Sequence, residues 1–261
     1  MLLTDQVGRS VYLADFPKRI VSLVPSLSEF IWDLGLKKEL VGITKFCIHP
    51  KEMFSSVQRI GGTKNPSIEK IAHLKPELII ANKEENTEES VSDLEKICPV
   101  YVSDVNSLQD SYVMMKDIGV LTNKEVEASE IIFQTKLCFE KHNFYSSLRV
   151  VYVIWQNPIM SVASSTFINN LLMSLGFQNC FSGKNRYPET NFDEIRDLNP
   201  DCIFLSSEPF PFTQEHCKEW KLFFPETKIV LVDGEFFSWY GSRLMKSRPY
   251  FDGLFRELNL P

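Results

Sequence analysis

Two separated stretches of this chain follow one pattern, and that repetition constrains the fold more than any other feature. Residues 68–81 align without gaps with residues 192–205. Ile71, Leu74, Pro76 and Ile79 recur as Ile195, Leu198, Pro200 and Ile203, and the acidic Glu69 and Glu77 recur as Asp193 and Asp201. Each copy reads as a short helix, a proline stop and a buried strand. Leu34-Gly35-Leu36 likewise matches Leu175-Gly176-Phe177. A chain that writes one α/β unit twice is expected to fold as two similar lobes. Between the copies lies the stretch 123–146, which contains neither Gly nor Pro. Thr122 and Asn123 are its candidate N-caps, and acidic residues occupy its first turns. Val126, Phe133, Leu137 and Phe144 fall on one helical face, with Ala128, Ile132 and Phe139 in a stripe beside it. At 1.5 Å per residue such a helix is a rod of roughly 30 Å, long enough to act as a spine between the lobes.

The rest of the chain fits that plan. Residues 11–13 read as a short strand and 19–24 as a buried parallel-type strand, followed by a helix capped by Ser26 or Ser28 that stops at Gly35. Strands at 40–44, 77–81 and 100–102 alternate with helices, and 108–121 is a helix leading into the rod. After the rod the series restarts, with strands at 149–154, 202–206 and 228–232. Helices are expected at 165–175, 192–198, 214–221 and 244–258. Alternating β and α elements imply an α/β fold with a parallel sheet in each lobe. The expected division is a first lobe at 1–107, linking helices at 108–147 and a second lobe at 148–261. Ligands of open α/β sheets bind outside the carboxyl ends of the strands, so a cleft between the lobes is the expected site.

Composition excludes several classes. A net charge of -6 and scattered basic residues argue against a nucleic-acid partner. No apolar run approaches the length needed to span a membrane. The N-terminus lacks a basic region followed by an apolar core, so no signal peptide is read in this chain. Six cysteines without CxxC or metal-finger spacing read as small buried thiols, which fits a reducing compartment better than an oxidising one. No phosphate loop, nucleophile elbow or zinc-protease motif is present, and the four histidines (His49, His73, His142, His216) form no spaced pair. The expectation is therefore no enzyme, no catalytic residues, no metal site and no cofactor. His49 stands apart, in a loop expected to face the cleft.

Aromatic and amide side chains gather at the expected strand ends. The first lobe offers Phe46, His49, Lys64 and Asn82. The second offers Trp155, Gln156, Tyr187, Phe210, Trp239, Tyr240 and Arg243. Rings interleaved with amides and an arginine suit a flat amphipathic ligand, the rings supplying stacking area and the polar groups fixing its edges.

Residues 5–29 (DQVGRSVYL…PKRIVSLVPSLSE), 61–71 (GGTKNPSIEKI), 74–79 (LKPELI) and 239–243 (WYGSR) together resemble the solute-binding proteins of bacterial ABC importers for cobalamin and iron–siderophores, the cobalamin branch most of all. The likeness covers nearly the whole chain, with the motifs in family order. It implies two Rossmann-like lobes on one long backbone helix and a monomer that captures a corrinoid. It also implies a cell-envelope or periplasmic location and delivery to an ABC permease. A ferric siderophore or haem is the alternative ligand. A cytoplasmic sensor or chelatase-like protein is the alternative class. The resemblance assigns permease docking to Glu69 and Asp193, with Glu194 as a substitute for the latter, and a cleft aromatic to Tyr187. Polar loops stand at Thr63-Lys64 and Asn82-Lys83, where cobalamin binders carry tryptophan.

Overall fold

The computed structural model describes residues 1–140 and 147–260. The chain divides into two compact units. The first comprises Met1–Val105, Gln109–Lys136 and Tyr240–Lys246; the second comprises Asn106–Leu108, Leu137–Trp239 and Ser247–Pro261.

The first unit is built on a five-stranded sheet ordered Gln58–Arg59, Leu40–Ile43, Ile20–Ser22, Leu78–Asn82 and Val100–Ser103, parallel throughout. Unbroken apolar runs such as Leu78-Ile79-Ile80-Ala81 suit strands buried on both faces. Val21, Leu23, Ile71, Ile79 and Leu94 pack in the core on one side. From the central strand Ile20–Ser22 the chain first builds to one side and then returns to Leu78–Asn82 on the other, so the strand order reverses between these two. The expected strand at 11–13 lies outside this sheet: Ser10–Tyr12 pairs antiparallel with Leu2–Thr4. The helix Pro25–Asp33 is not capped by Ser26 or Ser28. Pro25 enters at its first turn with no side-chain cap, because a proline there removes an N–H that needs no partner. Ser28 instead donates inside the helix to the Val24 carbonyl at 2.8 Å.

The second unit holds a six-stranded mixed sheet. Arg149–Trp155, Cys202–Ser206 and Lys228–Val232 are parallel, and Gln178–Asn179 joins the start of the first of these. Ile159–Ser161 and Glu189–Thr190 add antiparallel strands that the α/β alternation did not foreshadow. Arg149–Trp155 and Ile159–Ser161 form a hairpin whose turn is Gln156-Asn157-Pro158. Here too the order reverses, between Arg149–Trp155 and Cys202–Ser206.

The internal repeat is carried into detail. Ile68–His73 and Phe192–Asp197 are helices of equal length, capped by Ser67 and Asn191 through the backbone N–H three residues on. Lys75 and Asn199 both leave these helices at positive φ, +46° and +45°. Gly35 and Gly176 stop matching helices at +83° and +80°, conformations that cost glycine little. Arg19, just before its strand, and Arg149, the first residue of the equivalent strand, donate to carbonyls at the end of the repeated helix, at Leu74 and Leu198.

The spine differs from expectation. Leu108–Thr122 and Glu125–Glu140 are separate helices. Asn123 caps neither as an N-cap: at φ +55° it ends the first helix, and Thr122 donates its hydroxyl back to Ile118. Of the two expected stripes, the first turns outward in part, while Ala128 of the second is buried as expected. Val126 is 80% and Phe133 53% exposed, while Ala128, Ile131 and Thr135 are buried. Close approach decides this, since a Cβ on Gly119 would stand 2.7 Å from the Ala128 methyl. Thr135 tolerates burial by donating to the Ile131 carbonyl at 2.8 Å. Residues 141–146, with His142 and Phe144, lie outside the described residues. The expected closing helix at 244–258 is divided into a 3-10 turn, Ser242–Lys246, and the helix Arg248–Leu258.

Candidate ligand-binding surfaces and family

In an open α/β sheet the crevice forms where strand order reverses, outside the carboxyl ends of the strands. In the first unit that edge is mostly closed by its own polar groups. Ser22, Ser28, Thr44 and Cys47 form a buried chain, with Ser28 Oγ 2.8 Å from Ser22 Oγ and the Cys47 thiol 3.2 and 3.1 Å from the Ser28 and Thr44 oxygens. Asn82, expected at the ligand surface, is buried and fully engaged. Its Nδ2 donates to the carbonyl and hydroxyl of Ser103, and its Oδ1 accepts from the N–H groups of Glu84 and Glu85. It therefore shapes the next loop rather than presenting an amide. Outward-facing groups are Phe46, 49% exposed with the Lys45 ammonium 5.0 Å from its ring, and Lys64, which donates to the Glu84 carbonyl at 3.0 Å. His49 is half-buried in the same loop as Phe46. Glu85 is half-buried beside Thr63. Burial pushes its carboxyl above the ordinary range, Lys64 opposes this, and Glu84 adds to it.

In the second unit three of the expected residues come together. Trp155, 38% exposed, meets Phe210 edge-on at 5.7 Å, and its indole N–H is fixed on the Asn157 carbonyl at 3.0 Å. Phe210 continues into Phe212 and His216, at 4.6 and 5.5 Å. Gln156 accepts from the Trp220 indole at 3.1 Å. Tyr187 lies beside the edge strand Glu189–Thr190, with Arg186 5.6 Å over its ring. Trp239 is buried and donates from its indole to Glu208. Tyr240 and Arg243 belong to the first unit, where Arg243 donates to Glu29 at 2.8 Å.

Glu208 stands in the expected strand-end stretch 207–210 but was not among the expected site residues. Its carboxyl accepts from Ser238 Oγ at 2.6 Å as well as from Trp239. Burial pushes it above the ordinary carboxylate range against those two hydrogen bonds, and Glu235 and Asp233 push the same way. The available signal was the repeat itself. Glu208 stands two residues after Ser206, as Glu84 stands two residues after Asn82, and both polar residues bond the loop that follows. A groove of about 470 Å³ lies at the opposite, amino edge of the second sheet, lined by Arg149, Gln178 and Cys180.

The model of the family described as periplasmic binding protein matches residues 20–222. The chain belongs to this family. Among its relatives is a vitamin B12-binding protein of Vibrio campbellii, 24% identical over 195 residues, 72% of this chain and 70% of that protein. An ABC transporter substrate-binding lipoprotein of Bacillus subtilis is 27% identical over 213 residues, 77% of this chain and 67% of its own. A solved structure of a possible iron-binding periplasmic solute-binding protein of Staphylococcus epidermidis superposes with a TM-score of 0.79. It covers 92% of this chain and all of its own at 24% identity, which shows the shared fold. The protein is a solute-binding protein of the ABC-importer type.

For a periplasmic binding protein the exposed carboxylates of the repeated short helices are of interest. Glu69 is exposed, beside a groove of about 310 Å³ lined by Gln58, Ser67, Lys70, His73 and Leu74. Asp193 is 88% exposed at its side chain and pairs with Arg196 at 2.7 Å, one turn along the helix. Glu194 is engaged by Lys184 and by the Thr190 hydroxyl, and the lysine's hydrogen bond holds its carboxyl below the ordinary range.

Proposed function

We propose that this protein captures a corrinoid, a cobalamin-like ligand, outside the cell membrane and delivers it to an ABC permease. The observation that carries the reading is the aromatic and amide surface of Trp155, Gln156 and Phe210, at the point where strand order reverses in the second sheet. Rings at such an edge bind a flat macrocycle by stacking. The exposed Phe46 supplies the same chemistry in the first lobe.

Charge supports a corrinoid over an anionic iron chelate. Glu84 and Glu85 follow a strand of the first sheet beside Lys64, Asp104 pairs there with Lys83 at 2.6 Å, and Glu208, Asp233 and Glu235 follow strands of the second, on a chain of net charge -6. Carboxylates repel propionates and catecholates but accept hydrogen bonds from the amides on a corrin rim. The name of the Vibrio campbellii relative points the same way.

A retention experiment tests the reading. The full chain is incubated separately with cyanocobalamin, haemin, a ferric hydroxamate and a ferric catecholate, then gel-filtered. Co-elution of cyanocobalamin is expected. Retention of haemin or an iron chelate alone selects an iron-importing member of the same class, and retention of none removes the corrinoid assignment.

A further inference from the structure

We propose that Glu208 is a specificity-determining residue of the ligand site, its carboxyl offered to hydrogen-bond donors on the rim of the ligand. This rests on the corrinoid reading above.

The residue is placed by the fold. It follows the strand Cys202–Ser206 at the reversal of strand order, and its loop runs along the end of the neighbouring strand, where the Phe210 N–H donates to the Ile154 carbonyl at 3.3 Å. Glu208 therefore stands two residues from Phe210, the partner ring of Trp155.

Its position is fixed from several directions. Ser206 Oγ donates to the Glu208 carbonyl at 2.6 Å and is itself held by the Tyr152 hydroxyl at 3.1 Å. Ser238 and Trp239 hold the carboxyl. Gly234 closes against its stem so tightly that a Cβ there would stand 2.5 Å from Glu208 Cγ. A carboxyl already held in place loses little freedom when a ligand arrives.

The charged groups that act most on Glu208 are Glu235 and Asp233, both acidic and both from the Asp233–Ser238 segment. The strand Arg149–Trp155 faces it with Tyr152, whose phenol burial holds well above its usual range. A purely structural buried carboxylate is ordinarily paired with a cation, as Glu29 is with Arg243 and Lys246 in the other unit. Glu208 instead has two neutral donors behind it and like charge beside it. Donors on a ligand would offset that burial and like charge.

The sign of the pH effect follows. The carboxyl of the empty protein titrates above the ordinary carboxylate range. Ligand donors favour its ionised form and lower that value in the complex. Affinity is then full above the empty-protein pKa, falls as pH drops through it, and binding releases protons between the two values.

The test is Glu208→Gln, which keeps an acceptor for Ser238 and Trp239 and so preserves the local fold. Cyanocobalamin is titrated into full-length wild type and variant between about pH 8 and pH 5, with calorimetry in two buffers of different ionisation enthalpy to count protons. Expected are affinity on the order of tenfold weaker in the variant near pH 8 and loss, in the variant, of the proton release that Glu208 contributes. Asp233 and Glu235 are common to both proteins, so the difference isolates Glu208. Equal affinities with unchanged proton release overturn this inference and leave the corrinoid reading standing. Wild type that binds haemin or a ferric catecholate but not cyanocobalamin overturns both, since an acidic rim reader opposes those anions.

Discussion

Arg243 Nε lies 2.8 Å from Glu29 Oε2, with the two side chains only 11% and 5% exposed. Lys246 adds contacts to Glu29 at 3.2 Å and Asp33 at 2.8 Å. This cluster fastens Tyr240–Lys246 to the helix Pro25–Asp33, and Gly241 N–H adds a bond to Ser111 Oγ at 3.3 Å. A segment late in the chain thereby belongs to the first unit, although residues on both sides of it belong to the second. Glu29→Ala removes the buried carboxylate that Arg243 and Lys246 share and is expected to cost about 3 kcal/mol. Lys246→Ala, at a half-exposed partner, should cost under about 1 kcal/mol. Denaturant unfolding of both variants checks the contrast; equal effects would deny the buried pair its role.

Gly234→Ala tests the packing behind Glu208. The added methyl would meet Glu208 Cγ and Ser206 Oγ, each at 2.5 Å. Overpacking of this kind costs about 1–3 kcal/mol. A lowered unfolding midpoint together with weaker ligand binding is expected. An unchanged midpoint would show that the loop yields freely.

All six cysteines are free thiols. Burial pushes Cys98 and Cys202 up to about 12, Lys228 opposing the shift at Cys202 and Glu77 adding to it at Cys98. Near pH 8 these two are almost wholly protonated and should resist a thiol-reactive dye in the native protein. Six equivalents should react once the protein is denatured. Rapid native labelling of Cys202 would contradict its burial.

Much of the architecture was legible because it was written twice. The helix–proline–strand units at Ile71 to Ile79 and Ile195 to Ile203 need only local periodicity and a proline stop to be recognised. The spine was harder. Val126 and Phe133 satisfied one helical stripe and Ala128 lay in the stripe beside it; the close approach of Gly119 to Ala128 chose between the two, and apolar periodicity does not rank stripes by small-residue contact. At the candidate site, proximity to a strand end did not separate Trp155 and Phe210 from Asn82 and Arg243. Hydrogen bonds to Ser103 and an ion pair with Glu29, both distant in sequence, engage the last two. Glu208 was passed over for a similar reason, since its hydrogen bonds to Ser238 and Trp239 and the nearby Asp233 and Glu235 come from a segment distant in sequence.

Glu69 and Asp193 occupy the same position in the repeated helices, both exposed. Paired replacement by alanine is expected to reduce ligand uptake through the cognate permease while leaving ligand affinity unchanged. Uptake assays in reconstituted vesicles alongside solution titration separate the two. Normal uptake by the double variant would remove these carboxylates from docking, and a parallel loss of affinity would reassign them to the ligand site.

The most direct measurement is a fluorescence titration of the full-length protein with cyanocobalamin, with Trp155 and Trp239 as intrinsic reporters. Saturable quenching with a dissociation constant in the micromolar range or below is predicted, attenuated in Trp155→Phe. Absence of saturable quenching up to high micromolar cyanocobalamin would contradict the corrinoid assignment.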